Sequence, residues 1–218
     1  MTTSPTILGF DTSGPAVSCA LMESGAVSIA RNEDMAKGQA ERLLPLLEEV
    51  LAEAGVSWHA LDAIAVGTGP GNFTGIRISV AAARGLALSL GVPAVGVSML
   101  EALAFGTDAP VLSCLDARRD RLYLQRFHPT RARGPELVAL SDTDDWALPD
   151  LTCIGPPAQA LGRELGLPIA HPAFPPAEAL VRVAATRWQT VQTPPAPLYM
   201  RAADAAPPAD PPPVILPS

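Results

Sequence analysis

Lysine is nearly missing from this sequence: Lys37 is the only one, and arginine supplies the rest of the 15 basic residues. Against 22 acidic residues they leave a net charge of -7, which repels a polyanion at long range and removes any global electrostatic case for nucleic-acid binding. Cysteine is scarce too. Cys19, Cys114 and Cys153 are far apart, in no Cys-x-x-Cys spacing, and each lies in an apolar run, so buried thiols are expected and not a disulfide framework. His59, His128 and His171 sit in unrelated segments with no carboxylate cluster to join them, which leaves a zinc or iron site without ligands. There is no Gly-x-Ser-x-Gly elbow and no histidine beside a cysteine, so nucleophilic catalysis has no support. The longest apolar stretch, Ile76 to Leu103, is broken by Arg77, Arg84, Pro93 and Glu101, which argues against a membrane span. Met1 to Pro5 shows neither a basic n-region nor an apolar h-region, and a cytoplasmic location is expected.

What is present is a chain of 218 residues, 48% hydrophobic, with material for one sizeable core or two modest ones. Ile7 to Asp11, Ala16 to Met22 and Ala26 to Asn32 are short apolar or alternating runs, separated by the turn signals Gly14-Pro15 and Glu23-Ser24-Gly25, and they read as a three-stranded meander. A helix is expected from about Gln39 to Ala54, a strand from Leu61 to Val66, a second helix from about Thr74 to Leu90 and a strand from Ala94 to Val97. Ser98 and Glu101 have capping-box spacing and predict a short helix ending by Gly106. After Thr107 to Pro110, which has the composition of a linker, the pattern restarts. Val111 to Asp116 repeats the apolar run ending in Asp of Ile7 to Asp11, and Leu122 to Phe127 repeats the strand after it, as a duplicated fold would. A strand at Thr152 to Ile154 and helices from Ala158 to Leu165 and Ala177 to Trp188 complete a smaller second lobe. The division is therefore 1–106, 107–201 and a proline-crowded tail over 202–218, expected to be extended or disordered.

Two loops could carry chemistry. Gly67 to Gly75, with Gly69 and Gly71 inside it, leads straight into a helix, where bare amides favour an anion; it lacks the Lys-Ser or Lys-Thr of a Walker loop, and the same glycines would serve a tight turn. Asp11, followed by Thr12 and Ser13, could hold a metal-bound water and a phosphate, or could simply shape the turn. Asp116 has the same two readings, with Arg118, Arg119 and Arg121 beside it as pairing partners.

Gly69-Pro70-Gly71-Asn72-Phe73-Thr74-Gly75-Ile76-Arg77, followed by Ala83-Arg84-Gly85-Leu86-Ala87, closely resembles the hallmark segment of the bacterial TsaB (YeaZ) family. Asp11-Thr12-Ser13, Glu41-Arg42-Leu43-Leu44-Pro45-Leu46-Leu47, Leu115-Asp116-Ala117-Arg118 and Pro197-Leu198-Tyr199-Met200-Arg201 add to it, so the resemblance runs almost to Arg201. It implies a two-lobed α/β fold of the actin, Hsp70 and sugar-kinase type. It also implies a non-catalytic subunit that pairs with TsaD and works with the ATPase TsaE to make threonylcarbamoyladenosine at position 37 of tRNA. On that resemblance tRNA is met only through the complex, the loops around Asp11, Thr12, Ser13, Gly69 and Gly71 are a vestige of a nucleotide site, and no cofactor is intrinsic, which leaves ATP or ADP for the interface of the assembled complex. The metal-binding His pair of TsaD has no counterpart in Lys37-Gly38-Gln39-Ala40-Glu41, where Gln39 replaces a histidine common in the family.

The docking surface is expected on the two helices of the first lobe. Leu43, Leu44, Leu46, Leu47, Val50, Leu51 and Ala54 span an arc of about 160° on the first, wider than one sheet face requires. Pro45 is expected in the first turn or at a kink. On the second, Arg77, Ala81, Arg84 and Leu88 share one face of a helix otherwise almost uncharged, and small residues would let a partner helix approach. Leu43, Leu46, Leu47, Val50, Arg77, Ala81, Arg84 and Leu88 are therefore the interface candidates, with Leu46, Leu47 and Val50 at its centre and a homodimer expected when the subunit is alone. Cover by the protein's own second lobe is the competing reading of the same stripe. The rival functions are a glycoprotease-like metallopeptidase, an ATP-dependent phosphotransferase on the same fold, and an RNA-binding module using Arg118, Arg119, Arg121, Arg126, Arg131 and Arg133.

Overall fold

A computed structural model describes residues 4–200. The tail expected over 202–218 lies outside them. Strands β1 (Ile7–Asp11), β2 (Ala16–Glu23) and β3 (Ala26–Asp34) form the expected meander, and Ser24 and Gly25, both at positive φ, make the two-residue turn whose twist matches the β2–β3 hairpin. β1 is buried at every position, as befits the centre of a sheet covered on both faces, whereas β3 alternates along the sheet edge. Helix α1 (Gln39–Ala54) ends at Gly55, whose left-handed backbone turns its amide onto the last carbonyls. Pro45 lies in the second turn of α1, not the first, on an exposed face where its missing donor leaves a carbonyl to water. After β4 (Ala63–Gly67), helix α2 (Phe73–Leu90) starts where Asn72 Oδ1 accepts from the amides of Thr74 and Gly75, at 2.9 and 3.1 Å. By length and composition α2 could cross a membrane, yet Ile76, Val80, Ala83 and Ala87 bury one side of it in this lobe. β5 (Ala94–Val97) and α3 (Met99–Ala104) follow. Ser98 Oγ caps the Leu100 amide, but the second half of the expected capping box is not made, because the Glu101 carboxylate is held by Arg187.

The second half repeats the first: β6 (Val111–Asp116), β7 (Arg121–Phe127), β8 (Arg133–Ala139), β9 (Thr152–Ile154), α4 (Ala158–Leu165), β10 (Ile169–Ala170) and α5 (Pro176–Ala185). The first sheet is ordered β3-β2-β1-β4-β5 and the second β8-β7-β6-β9-β10, with antiparallel and parallel pairings at corresponding places. The duplication expected from Asp11 and Asp116 is thus a duplication of topology. What the second half lacks is a counterpart of α1. Two short 3-10 turns, Leu140–Asp142 and Asp144–Trp146, bridge β8 to β9 instead.

The two sheets exchange helices. α5 packs on β1, β2 and β4 of the first sheet, and α3 packs on β6 and β7 of the second. The last helix of each half thus covers the other half's sheet, so packing runs across residue 106. Leu180, Val181 and Ala184 of α5 join Ile7, Ala65 and Val95 in one core, while Leu100 of α3 meets Tyr123 and Ala117 in another.

Candidate partner interface and the loops beside it

The leucines of α1 are core, not surface. Leu43, Leu46, Leu47 and Val50 are each at most 2% exposed, packed with Phe10, Cys19 and Leu21 of the sheet and with Ile76 and Val80 of α2. The wide apolar arc has an internal cause: α1 lies over β2 and β3 with α2 along its flank, so the sheet covers one part of the stripe and the neighbouring helix the other. Leu43, Leu46, Leu47 and Val50 are therefore withdrawn from the interface. Leu44 alone of that arc's leucines faces solvent, at 46%.

The residues named on α2 are on the surface. Arg77, Ala81, Arg84 and Leu88 follow one another along a single exposed face, and Leu88 is 86% exposed. At the start of that face Phe73 is 45% exposed, with the Arg77 guanidinium 3.9 Å above its ring. Arg77 Nε donates to Tyr199 Oη at 2.8 Å, and the rings of Phe73 and Tyr199 are 5.1 Å apart. Phe73 and Tyr199 were not among the expected site residues. Both belong to the two segments that resemble the TsaB family, which was the one sequence signal for them, since helical spacing says nothing of a residue 122 positions away.

Behind this face the Asp11 loop and the glycine loop are clamped together. Thr12 Oγ1 donates to the Gly75 carbonyl at 2.6 Å, and the Asn72 amide donates to the Ser13 carbonyl at 2.7 Å. A β-carbon at Gly71 would meet the Ser13 carbonyl oxygen at 2.6 Å, and one at Gly75 would collide with the Thr12 carbonyl, so these glycines are needed for the loops to touch. Gly69 has φ +88 and turns the chain so that its carbonyl accepts from Met99. Asp11 Oδ2 accepts from the Ser13 amide at 3.0 Å and the Ser13 hydroxyl at 2.8 Å, while Oδ1 is buried without a partner. Burial pushes the Asp11 carboxyl above its usual range, against the hydrogen bonds from Ser13. Asn72 takes the amides of Thr74 and Gly75 at the start of α2, and no basic residue stands in the Asp11 loop. Asp116 Oδ1 accepts from the Arg118 amide, the turn-forming reading of that residue.

Comparison with known proteins agrees with this architecture. A family model described as TsaD: tRNA N6-adenosine threonylcarbamoyltransferase matches residues 32–146. An uncharacterised protein of Mycobacterium tuberculosis is 36% identical over 205 residues, covering 93% of this chain and 94% of its own, so the likeness is not confined to one lobe. The tRNA threonylcarbamoyladenosine biosynthesis protein TsaB of Escherichia coli is 38% identical over 126 residues, 56% of this chain and 54% of that one, so this match is to about half of each. The solved structure of YeaZ from Pseudomonas aeruginosa superposes with TM-score 0.68 at 31% identity, over 85% of this chain and 92% of its own. Component A of (R)-2-hydroxyglutaryl-CoA dehydratase from Acidaminococcus fermentans, at TM-score 0.55 and 10% identity, shares the fold alone. With its twice-repeated sheet, its exchanged helices and these sequence matches, the chain belongs to the TsaB (YeaZ) family on the actin-like α/β fold.

Proposed function

We propose that this chain is a non-catalytic subunit of the apparatus that makes threonylcarbamoyladenosine in tRNA, and that it docks on the catalytic subunit TsaD through the exposed face of α2. One observation carries the docking reading: Phe73, Ala81 and Leu88 lie open on a helix face whose only charges are Arg77 and Arg84. Apolar surface left open in this way marks an interaction site, and Ala81 and Gly85 are small enough for a second helix to come close. The names of the TsaB relatives support the pathway. A helix face that receives a similar helix also suits a two-fold pair of identical chains, so the subunit alone forms a homodimer through the same surface. TsaE and tRNA are reached through the complex, ATP or ADP enters at the interface between subunits, and the role implies a cytoplasmic protein.

The test is to deplete this protein and measure threonylcarbamoyladenosine in bulk tRNA by mass spectrometry, alongside co-purification of TsaD with the intact chain. A fall in the modified nucleoside and a stable pair are expected. Unchanged modification refutes the pathway, and modification that falls while TsaD does not co-purify refutes the docking.

A further inference from the structure

Met200, the last of the described residues, follows Tyr199, whose hydroxyl accepts from Arg77 Nε and whose ring lies 5.1 Å from that of Phe73. Residues 201–218 are therefore tethered at the head of the exposed α2 face. From there the face runs through Ala81 and Arg84 to Leu88, about 16 Å beyond Arg77 at the helical rise of about 1.5 Å per residue. Leu88 is the most exposed large apolar side chain among the described residues. Arg84 is exposed as well and, among the described residues, its guanidinium has no ion-pair partner. The face thus offers two cations and then an aliphatic patch, counted away from the tether.

The sequence beyond Arg201 carries the complement in the same order. Its only charged side chains are Asp204 and Asp210, and its only run of large apolar residues is Val214-Ile215-Leu216. Val214 stands 14 residues after Met200, about 40 Å of proline-rich chain, which exceeds the distance to Leu88 and leaves slack. Pro207, Pro208, Pro211, Pro212 and Pro213 have no amide donor, so this stretch asks little of a helix flank whose carbonyls are already bonded along the helix. Their fixed φ also reduces the entropy lost when such a segment is laid against a surface. A tether of this length presents the segment to the face at an effective concentration of about millimolar, above that of a second copy in dilute solution. Charge, order and reach therefore favour the chain's own C-terminal segment over another molecule as the occupant of this face when the subunit is alone.

We propose that residues 204–216 of this chain lie along the exposed face of α2, with Asp204 and Asp210 toward Arg77 and Arg84 and Val214-Ile215-Leu216 on Leu88, and that a docking partner must displace them. The cover follows from the tether and the sequence of the segment; the displacement rests on the docking reading proposed above. Such a strap shields apolar surface in the free subunit and sets a threshold that a partner with more area to offer overcomes.

The test uses the full chain. Cys19, Cys114 and Cys153 are buried, so Ser89→Cys, at an exposed position next to Leu88, takes a bimane label selectively. Leu216→Trp then places a contact quencher in the segment while keeping it apolar. Emission is expected to fall at least twofold with Leu216→Trp, equally at every protein concentration, and to recover when Asp204→Asn and Asp210→Asn are added. No quenching overturns the cover, as does quenching that grows with protein concentration, which assigns the segment of a second copy, or quenching that the two asparagines leave unchanged. TsaD affinity is measured separately on the unlabelled chain with Val214→Ser, Ile215→Ser and Leu216→Ser, and is expected to rise at least threefold. Quenching with unchanged TsaD affinity upholds the cover and overturns the displacement and the docking reading. TsaD binding that is lost on Leu88→Asp in a chain that shows no quenching upholds the docking reading and overturns the cover.

Discussion

Arg187 grips Glu101 through two hydrogen bonds of 2.6 and 3.0 Å and sends a third to the Gly96 carbonyl, tying the chain that follows α5 to α3. Because α5 covers the first sheet and α3 the second, this pair joins the exchanged helices across the two halves. Both side chains are about one-third exposed, so solvent screens the pair and its geometry matters more than its charge. Arg187→Ala is expected to cost about 1 kcal/mol, at the upper end for exposed pairs, because the Gly96 carbonyl loses its donor as well. Urea denaturation with a double-mutant cycle against Glu101→Gln checks it; a coupling near zero would mean the two ends are held by packing alone.

Confining the proposed interface to α2, when residues of both helices are candidates from the sequence, gives two substitutions with opposite signatures. Leu47→Ala empties a fully buried position beneath α1 and should cost about 2–5 kcal/mol of stability. Leu88→Asp changes a side chain that is 86% exposed and should leave the melting curve within about 0.5 kcal/mol of the parent while abolishing co-purification with TsaD. Thermal melts and pull-downs on both variants decide between the helices.

The sequence made most of the first lobe legible because its strands carry continuous or alternating apolar runs and its helices end at Gly55 and Gly91. β8 was missed because Gly134-Pro135 reads as a loop; it survives as an edge strand, where a missing donor is tolerated. β10 has two residues, too few for any period to register. The buried leucines of α1 were assigned to a partner because the width of an apolar stripe counts the neighbours a helix needs without saying whose they are. The exchange of α3 and α5 was hidden for the same reason. Leu180 and Leu100 announce that they will be buried, and nothing local to them names the sheet.

Two glycines of α2 should respond in opposite ways to alanine. At Gly75 the new β-carbon runs into the Thr12 carbonyl, so the clamp between loops must open, with a loss at the upper end of about 1–3 kcal/mol. At Gly85 a β-carbon meets nothing within 4 Å, and alanine in an exposed helix interior should add about 0.5–1 kcal/mol. If a partner helix packs closely on this face, Gly85→Ala also weakens TsaD binding while raising the melting temperature of the subunit alone. Affinity that rises with stability would place the contact elsewhere on the helix.

Asp11 gives the chain a pH signature. Its carboxyl is raised by burial, so the folded state holds its proton more tightly than the unfolded chain does. A group of this kind contributes most below the ordinary carboxylate value near 3.9, and the contribution is lost as pH climbs through the raised folded value. Above that ordinary value the unfolded chain ionises freely, while the fold must hold either the proton or a buried charge with one oxygen unpartnered. Asp11→Asn keeps an oxygen for the Ser13 amide and hydroxyl and removes the titration, so the variant should be the more stable protein at pH 7.5. Its advantage should shrink as pH falls toward the ordinary carboxylate value. Urea midpoints of both proteins at pH 7.5, 5.5 and 4 test this, and a difference that stays constant across the three would show that the ionisation of Asp11 is not what the burial opposes.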